Sequence, residues 1–365
     1  MSAPLLVIAA GGTGGHMFPA QALAEEMLHR GWRVRLSTDD RGARYSEGFP
    51  DAVERQIVRS ATFARGGLLS KIVVPLKLML GIARAKTSML FDRPACVAGF
   101  GGYPALPAMS AAWLLRVPRL LHEQNGVLGR VNQVFAKRVN AVACGTWPTE
   151  LPKGVTGKPI GNPVRAQIRA VAGCGYAAPS DSGPLELLVF GGSQGASVMR
   201  IVPDAVRLLP EEIHGRLVIS QQARDADEAE VRAAYTDLGL PVDIRPFFND
   251  MPERLVRAQL VIARSGASTI ADLTVIGRPA ILIPLASAIR DEQTANARAM
   301  VEAGAAVLVP EGELTAEALA AHIARILSDP DHATRAAGAA HALGKPDAAK
   351  DLADLVEDLS GAAAK

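Results

Sequence analysis

Short apolar runs that end in glycine recur along this chain, separated by segments with helical periodicity. Residues 5–10 read as a first buried strand. They lead into glycines, a helical stretch over 20–30 and the alternating run 32–37 of a second strand, which together make a βαβ opening. Further strands are predicted at 95–98, 119–122 and 141–144, each separated from the next by room for a helix, which favours a parallel sheet. The order restarts at 185–190, again followed by a glycine loop, and continues with strands at 216–220, 242–245, 260–263, 280–283 and 306–309. The fold class is therefore α/β, with two doubly wound halves. Residues 173–184, rich in Gly, Ala, Ser and Pro, read as a linker or exposed loop, and the junction is placed between about 158 and 184.

At 365 residues and 49% hydrophobic composition the chain is long enough for two domains and too apolar to be disordered. Aromatics make up 4% and are not interleaved with basic residues, so nucleic acid is not an expected partner. The net charge of +2 conceals an asymmetry: residues 1–163 hold 20 basic and 10 acidic residues, and 164–365 hold 19 basic and 27 acidic. The first half is thus suited to meet something anionic. Three cysteines without C-x-x-C spacing point to neither a disulfide framework nor a zinc site and fit a reducing cytoplasm. The apolar start lacks a preceding Lys or Arg and reads as a strand rather than a signal peptide. The uncharged stretch 95–115 has nearly membrane-spanning length, but its glycines and prolines make it strand, loop and helix.

The candidate chemistry sits at the ends of strands. Gly11-Gly12-Thr13-Gly14-Gly15-His16 lies between a strand and a helix, where glycines let backbone approach a ligand and the helix terminus offers N–H groups to an anion. One or two of these glycines could serve a tight turn; four exceed that need. Gly99-Phe100-Gly101-Gly102-Tyr103-Pro104 and Gly191-Gly192-Ser193-Gln194-Gly195-Ala196 repeat the arrangement, although the spacing of Gly191, Gly192 and Gly195 does not match a dinucleotide fingerprint. Three such loops at carboxyl ends of strands point to one crevice between two domains. His122-Glu123-Gln124-Asn125 places four polar side chains after an apolar strand, a density suggesting hydrogen bonds to a sugar, with capping by Asn125 as the plainer alternative. Arg165 could reach a phosphate with its planar fork. The segments from Arg264 to Asp272 and from Asp291 to Asn296 open helices in the same way, with acidic residues that could equally complement a helix dipole.

Metal signatures are weak. Asp225-Ala226-Asp227 and Asp329-Pro330-Asp331 have a spacing that can hold a divalent cation, but one lies in a charged surface stretch and the other in a turn. Residues 55–93 carry eight basic side chains against Asp92 alone. Within them, Pro75 suits the first turn of a helix on which Leu76, Met79, Leu80 and Ala83 share a face flanked by Lys77 and Arg84. Such a helix suits an anionic membrane surface, or else an ordinary core.

Seven of these motifs, in order and spread through nearly the whole chain, resemble the MurG family. They are Gly11-Gly12-Thr13-Gly14-Gly15-His16, Gly101-Gly102-Tyr103, His122-Glu123-Gln124-Asn125, Gly161-Asn162-Pro163-Val164-Arg165, Gly191-Gly192-Ser193-Gln194-Gly195-Ala196, Arg264-Ser265-Gly266-Ala267 and Asp291-Glu292-Gln293-Thr294-Ala295-Asn296. The resemblance implies a GT-B glycosyltransferase, two Rossmann-like domains facing a central cleft, peripheral at the cytoplasmic face of the cell membrane. It would move GlcNAc from UDP-GlcNAc to the muramyl 4-hydroxyl of lipid I, giving lipid II with inversion and without a cofactor or essential metal. The implied division is an acceptor and membrane domain over 1–163, joined by a returning helix at about 341–365, and a donor domain over 164–340. Implied donor contacts are Gly12, Thr13, Gly14, Gly15, Asn125, Arg165, Ser193, Gln194, Gly195, Phe248, Ala267, Ser268, Thr269, Asp272 and Gln293. Gly14, Gly15, Gly101, Gly102 and Tyr103 would hold the lipid pyrophosphate, with His16 as leading base. Partners would be UDP-GlcNAc, lipid I, an anionic membrane and other cell-wall enzymes.

Two positions depart from the family pattern. Asp272 stands where the family usually has Glu, and the run Pro284-Leu285-Ala286-Ser287 lacks a His that relatives often show. Two other readings remain open at this point: a different nucleotide-sugar enzyme, such as an epimerase, and a non-catalytic membrane-bound scaffold.

Overall fold

In the computed structural model, residues 3–43, 46–58, 70–192 and 195–361 are described. Strands β1 (Leu5–Ala9), β2 (Arg33–Thr38), β3 (Glu54–Ile57), β4 (Cys96–Gly99), β5 (Arg119–Glu123), β6 (Ala141–Cys144) and β7 (Gly157–Pro159) form one sheet, in the order β3-β2-β1-β4-β5-β6-β7. All pairings are parallel. A parallel sheet is covered on both faces, so its central strands are apolar throughout; β1 and β4 are buried at every position. The edge strands β3 and β7 are not predicted from the sequence. They read Glu-Arg-Gln-Ile and Gly-Lys-Pro, are largely exposed, and are defined by their pairing rather than by an apolar run.

One face of this sheet is covered by Met17, Leu23 and Met27 of helix Gly14–His29 and by Leu352, Leu355 and Val356 of the last helix, Ala348–Ser360. The other face is covered by Ala85 and Met89 of helix Ser70–Phe91 and by Ala108 and Met109 of helix Ala105–Leu114. Arg30 fastens the last helix, reaching Asp354 at 2.6 Å and Glu357 at 2.7 Å, while the Trp32 indole N–H donates to Glu357 at 3.2 Å. The first compact unit is thus Met1–Arg165 with Pro346–Lys365, and the second is Ala166–Lys345. Arg165 is the last residue of the first stretch of the first unit, and its guanidinium lies 4.9 Å from the Phe18 ring.

The second unit holds β8 (Leu185–Phe190), β9 (Leu217–Gln222), β10 (Val242–Arg245), β11 (Leu260–Ala263), β12 (Ala280–Leu282) and β13 (Ala306–Leu308), parallel in the order β10-β9-β8-β11-β12-β13. Leu187, Val189, Ile219, Ile262 and Ile281 pack with Leu319 and Ile323 of helix Ala316–Leu327. The Gly- and Pro-rich stretch after Cys174 is less free than its composition suggests. The buried Arg278 donates to the Gly175, Leu255 and Val256 carbonyls, and Tyr176 donates its hydroxyl to the Gln259 carbonyl.

In both sheets the strand order reverses beside the first strand, between β1 and β4 and between β8 and β11. In the first sheet the helices after these two strands lie on opposite faces, and the carboxyl ends at such a switch point are the usual ligand position in an open α/β sheet.

Candidate active site

In the first unit the loops after β1 and β4 meet at this switch point. A Cβ on Gly11 would lie 2.7 Å from Pro104, and one on Gly102 would lie 3.0 Å from the Gly11 carbonyl oxygen. Gly101 and Gly102 also have φ of +90° and +75°, which a side chain would disfavour. The helix Gly14–His29 starts inside the first glycine cluster, so its opening amides belong to the loop, with the His16 N–H already donating to the Thr13 carbonyl at 3.1 Å.

His16 is half-buried, with Nδ1 3.4 Å from the Thr13 hydroxyl. Its Cδ2 and the Asn132 side chain both border the Cβ position of Gly101. Burial pushes the His16 imidazole down to about 4, so it is neutral at physiological pH, with its protonated form disfavoured. Asn132 is buried, donates to the Glu123 carboxylate at 2.8 Å, and leaves its Oδ1 without a partner. Sequence reasoning passed over Asn132, because one Asn in the short helix Arg130–Phe135 carries no signal until its neighbours are known.

The polar run after β5 turns mostly inward. Glu123 accepts from the Asn125 amide at 3.1 Å, the Asn125 side chain at 3.2 Å and the Gly129 amide at 2.8 Å. Burial raises its pKa and those bonds oppose the rise. The His122 Nε2–H donates to the Gly161 carbonyl at 3.0 Å, which leaves Nδ1 to accept from Gln124 at 3.2 Å. Burial likewise pushes His122 down to about 4. His122, Glu123 and Gln124 therefore brace their own loop and the start of the interdomain segment, whereas Asn125 and Tyr103 stay half-buried.

In the second unit, Ser193 and Gln194 lie outside the described residues. On either side of them, a Cβ on Gly191 would lie 2.3 Å from the Ala196 nitrogen, and one on Gly195 would lie 2.6 Å from Arg224. Helix Ala267–Ile276 begins beside this loop's strand, after β11, with Thr269 buried and Asp272 half-buried in its second turn. The Ser268 hydroxyl is buried without a hydrogen-bond partner, and so is that of Ser265, which lies in the quoted motif but not among the implied donor contacts. Arg264 holds the following loop by donating to the Ile283 and Pro284 carbonyls and pairing with Glu311. Gln293 closes the loop by accepting from the Leu285 amide at 3.0 Å. Phe248 is buried, while its neighbour Phe247 is exposed.

One carboxylate of each Asp-x-Asp pair has a protein partner: Asp227 binds Arg224 at 2.6 Å, and Asp329 caps a helix by accepting from the His332 amide. Helix Ser70–Phe91 starts before Pro75, which lies inside it. It packs through Gly81, Ala85 and Met89, leaving Leu76, Met79 and Leu80 57%, 67% and 63% exposed beside exposed Lys77 and Arg84. The core-facing reading of those three residues is thereby excluded. Among the described residues, no helix is long and apolar enough to cross a membrane.

Residues 6–144 match the glycosyltransferase family 28 N-terminal domain, and residues 186–352 match the C-terminal domain of that family. The chain belongs to glycosyltransferase family 28. Within that family it is 48% identical to a Rhodospirillum centenum protein over 99% of this chain and 96% of the relative. That relative is named UDP-N-acetylglucosamine--N-acetylmuramyl-(pentapeptide) pyrophosphoryl-undecaprenol N-acetylglucosamine transferase. A Chelativorans protein of the same name is 45% identical over 99% of this chain and 96% of its own. The crystal structure of Acinetobacter baumannii MurG superposes with a TM-score of 0.77 at 28% identity, covering 97% of this chain and 99% of that one. The two parallel sheets of this family 28 chain are accordingly those of a GT-B glycosyltransferase.

Proposed function

We propose that this family 28 enzyme transfers GlcNAc from UDP-GlcNAc to the muramyl 4-hydroxyl of lipid I, releasing UDP and forming lipid II. The observation that carries this is the 48% identity over 99% of the chain to a transferase named for those substrates. The first unit takes the acceptor, with its pyrophosphate on the loops of Gly14, Gly15, Gly101, Gly102 and Tyr103; the second takes the donor. The acceptor oxygen attacks the anomeric carbon as the bond to UDP breaks, inverting that centre. His16 receives the hydroxyl proton, and the electron pair leaves with the diphosphate. Arg165 and backbone N–H groups stabilise the departing charge, as preorganised donors do where charge develops. The unpartnered Ser265 and Ser268 hydroxyls at the start of helix Ala267–Ile276 support a phosphate there. Incubation with radiolabelled UDP-GlcNAc and a lipid I analogue, with and without chelator, tests the reading. Label appears in lipid equally in both if it holds, whereas hydrolysis or epimerisation of the donor alone would refute it.

Asp272 takes the place of the family Glu toward the donor ribose. A charged acceptor of hydrogen bonds is worth about 1.5–3 kcal/mol, so Asp272→Asn weakens UDP-GlcNAc binding roughly tenfold or more, and the preference for ribose over 2-deoxyribose collapses. An unchanged preference, measured by titration calorimetry, would reduce Asp272 to a helix-dipole partner.

The exposed face of Leu76, Met79 and Leu80, with Lys77, Arg84 and the exposed Lys86, supports peripheral seating on an anionic membrane at the cytoplasmic side. The neighbouring helix Ala105–Leu114 adds exposed Trp113 and Leu114. Each basic residue near such a surface contributes about 1 kcal/mol. Reversing Lys77 and Arg84 to Glu therefore lowers partitioning onto anionic vesicles by roughly a hundredfold or more at low salt. Equal binding of parent and variant, or of neutral and anionic vesicles, counts against the membrane face.

A further inference from the structure

Asn132 is 2% exposed and lies in the short helix Arg130–Phe135 that follows β5. Its Nδ2 has two acceptors, the Glu123 carboxylate at 2.8 Å and the His122 carbonyl at 3.4 Å. An amide nitrogen donates and cannot accept, so these two oxygens decide which way the side chain is turned. Glu123 is itself held in place, accepting from the Asn125 and Gly129 backbone amides at 3.1 and 2.8 Å. Backbone N–H groups cannot be reversed, so the carboxylate remains an acceptor and the Asn132 nitrogen remains on it.

The carbonyl end of the same amide is left with nothing to accept from. The Asn132 Oδ1 is buried without a hydrogen-bond partner. It lies 3.4 Å from the Cβ position of Gly101, and the His16 Cδ2 lies 3.4 Å from that same point. Gly101 has φ of +90° and no side chain, so the amide oxygen and the imidazole edge meet across a position that another residue would fill. An unpartnered buried acceptor is costly in the resting protein, but it is already in place for positive charge that develops beside it. His16 is where such charge would develop, and burial disfavours its protonated form.

We propose that Asn132 is a positioning residue acting through His16. Its carbonyl oxygen, aimed by Glu123, favours the imidazolium that forms as the acceptor proton moves to a His16 ring nitrogen, the O–H bonding pair staying on the attacking oxygen. This rests on the reading of His16 as the base. A dipole fixed in advance needs no reorientation at the moment of reaction, which is what the two acceptors on Nδ2 provide.

Turnover of the full-length protein with UDP-GlcNAc and a lipid I analogue tests this. Asn132→Ala lowers kcat about ten- to a hundredfold, the usual effect of removing an acceptor from a charged group, while KM for each substrate stays within about threefold. In a His16→Ala background the same substitution lowers kcat by less than about threefold, because the group it serves is gone. Asn132→Ser is too short to reach Glu123 and Gly101 together; it gives the same pattern and carries the test if Asn132→Ala does not fold. A lower melting temperature with parental kcat would make Asn132 merely structural, and equal losses in the two backgrounds would show that it does not act on His16. Either result overturns the inference and leaves His16 as the base. Near-parental kcat in His16→Ala alone would overturn the base reading and this inference with it.

Discussion

His16→Ala lowers kcat by about 10²- to 10⁴-fold, the usual contribution of a positioned acid or base, while the Kd for UDP-GlcNAc stays within about threefold. The expectation rests on placement: His16 stands at the lip of a loop where two glycine clusters meet, beside Gly101 and the unpartnered Asn132 oxygen. Its burial also leaves a pH signature. Because the imidazole is pushed from its ordinary 6.5 down to about 4, the acid limb of kcat/KM, which reports the free enzyme, falls near pH 4 rather than near 6.5. The limb of kcat lies higher, since a bound lipid pyrophosphate stabilises the imidazolium. The sign for stability follows from the same shift. His16 and His122 refuse protons that the unfolded chain accepts below 6.5, so the folded state is at full strength above 6.5 and weakens as pH falls toward 4. Stopped-flow turnover with separate donor titration decides the first point. A His16→Ala enzyme with near-normal kcat removes His16 from the mechanism.

Leu352→Ala destabilises the first unit by about 2–5 kcal/mol, and deleting residues 346–365 leaves that unit unfolded. Leu352 and Val356 are completely buried and Leu355 nearly so, against Met17, Leu23 and Met27. Truncating a fully buried leucine loses its transfer free energy and leaves a cavity, and removing the whole helix uncovers one face of the sheet. Total domain stability is of order 5–15 kcal/mol, so that loss is not survivable. The polar contacts of the same helix matter far less. Asp354 is 63% exposed, and Asp354→Asn costs under about 1 kcal/mol despite its 2.6 Å contact with Arg30. Denaturant unfolding followed by hydrogen exchange separates the two units. Retained protection in β1 and β4 after the deletion would show that the returning helix is dispensable.

The strands that could be read in advance are those whose burial on both faces forces a continuous apolar run. β1, β4, β8 and β11 are of this kind, and so the switch points and the glycine loops leaving them were legible. Glycine announces itself, because a loop that approaches another backbone as closely as Gly11 and Gly102 do admits no other residue. The edge strands β3 and β7 were not legible, since a half-exposed strand is specified by its neighbour's hydrogen bonds and not by its own composition. Helix Ser70–Phe91 shows the same limit: its apolar stripe fits a core or a surface equally well, and only packing through Ala85 and Met89 decides that Leu76, Met79 and Leu80 face outward.

The chain alone determined the family, the parallel two-sheet architecture and the identity of the anion-receptive loops, because each depends on local pattern or on motifs in register. Tertiary structure decided the direction of polar side chains. His122, Glu123 and Gln124 look like ligand contacts in a one-dimensional string, yet their partners, Gly161, Gly129 and Asn132 among them, bring them inward. Asn132 is the converse: an ordinary asparagine in sequence, it lies beside His16 and Gly101 because β4 runs between β1 and β5. A hydrogen bond needs both partners within about 3 Å and aligned, and for residues far apart in the chain only the fold supplies that distance.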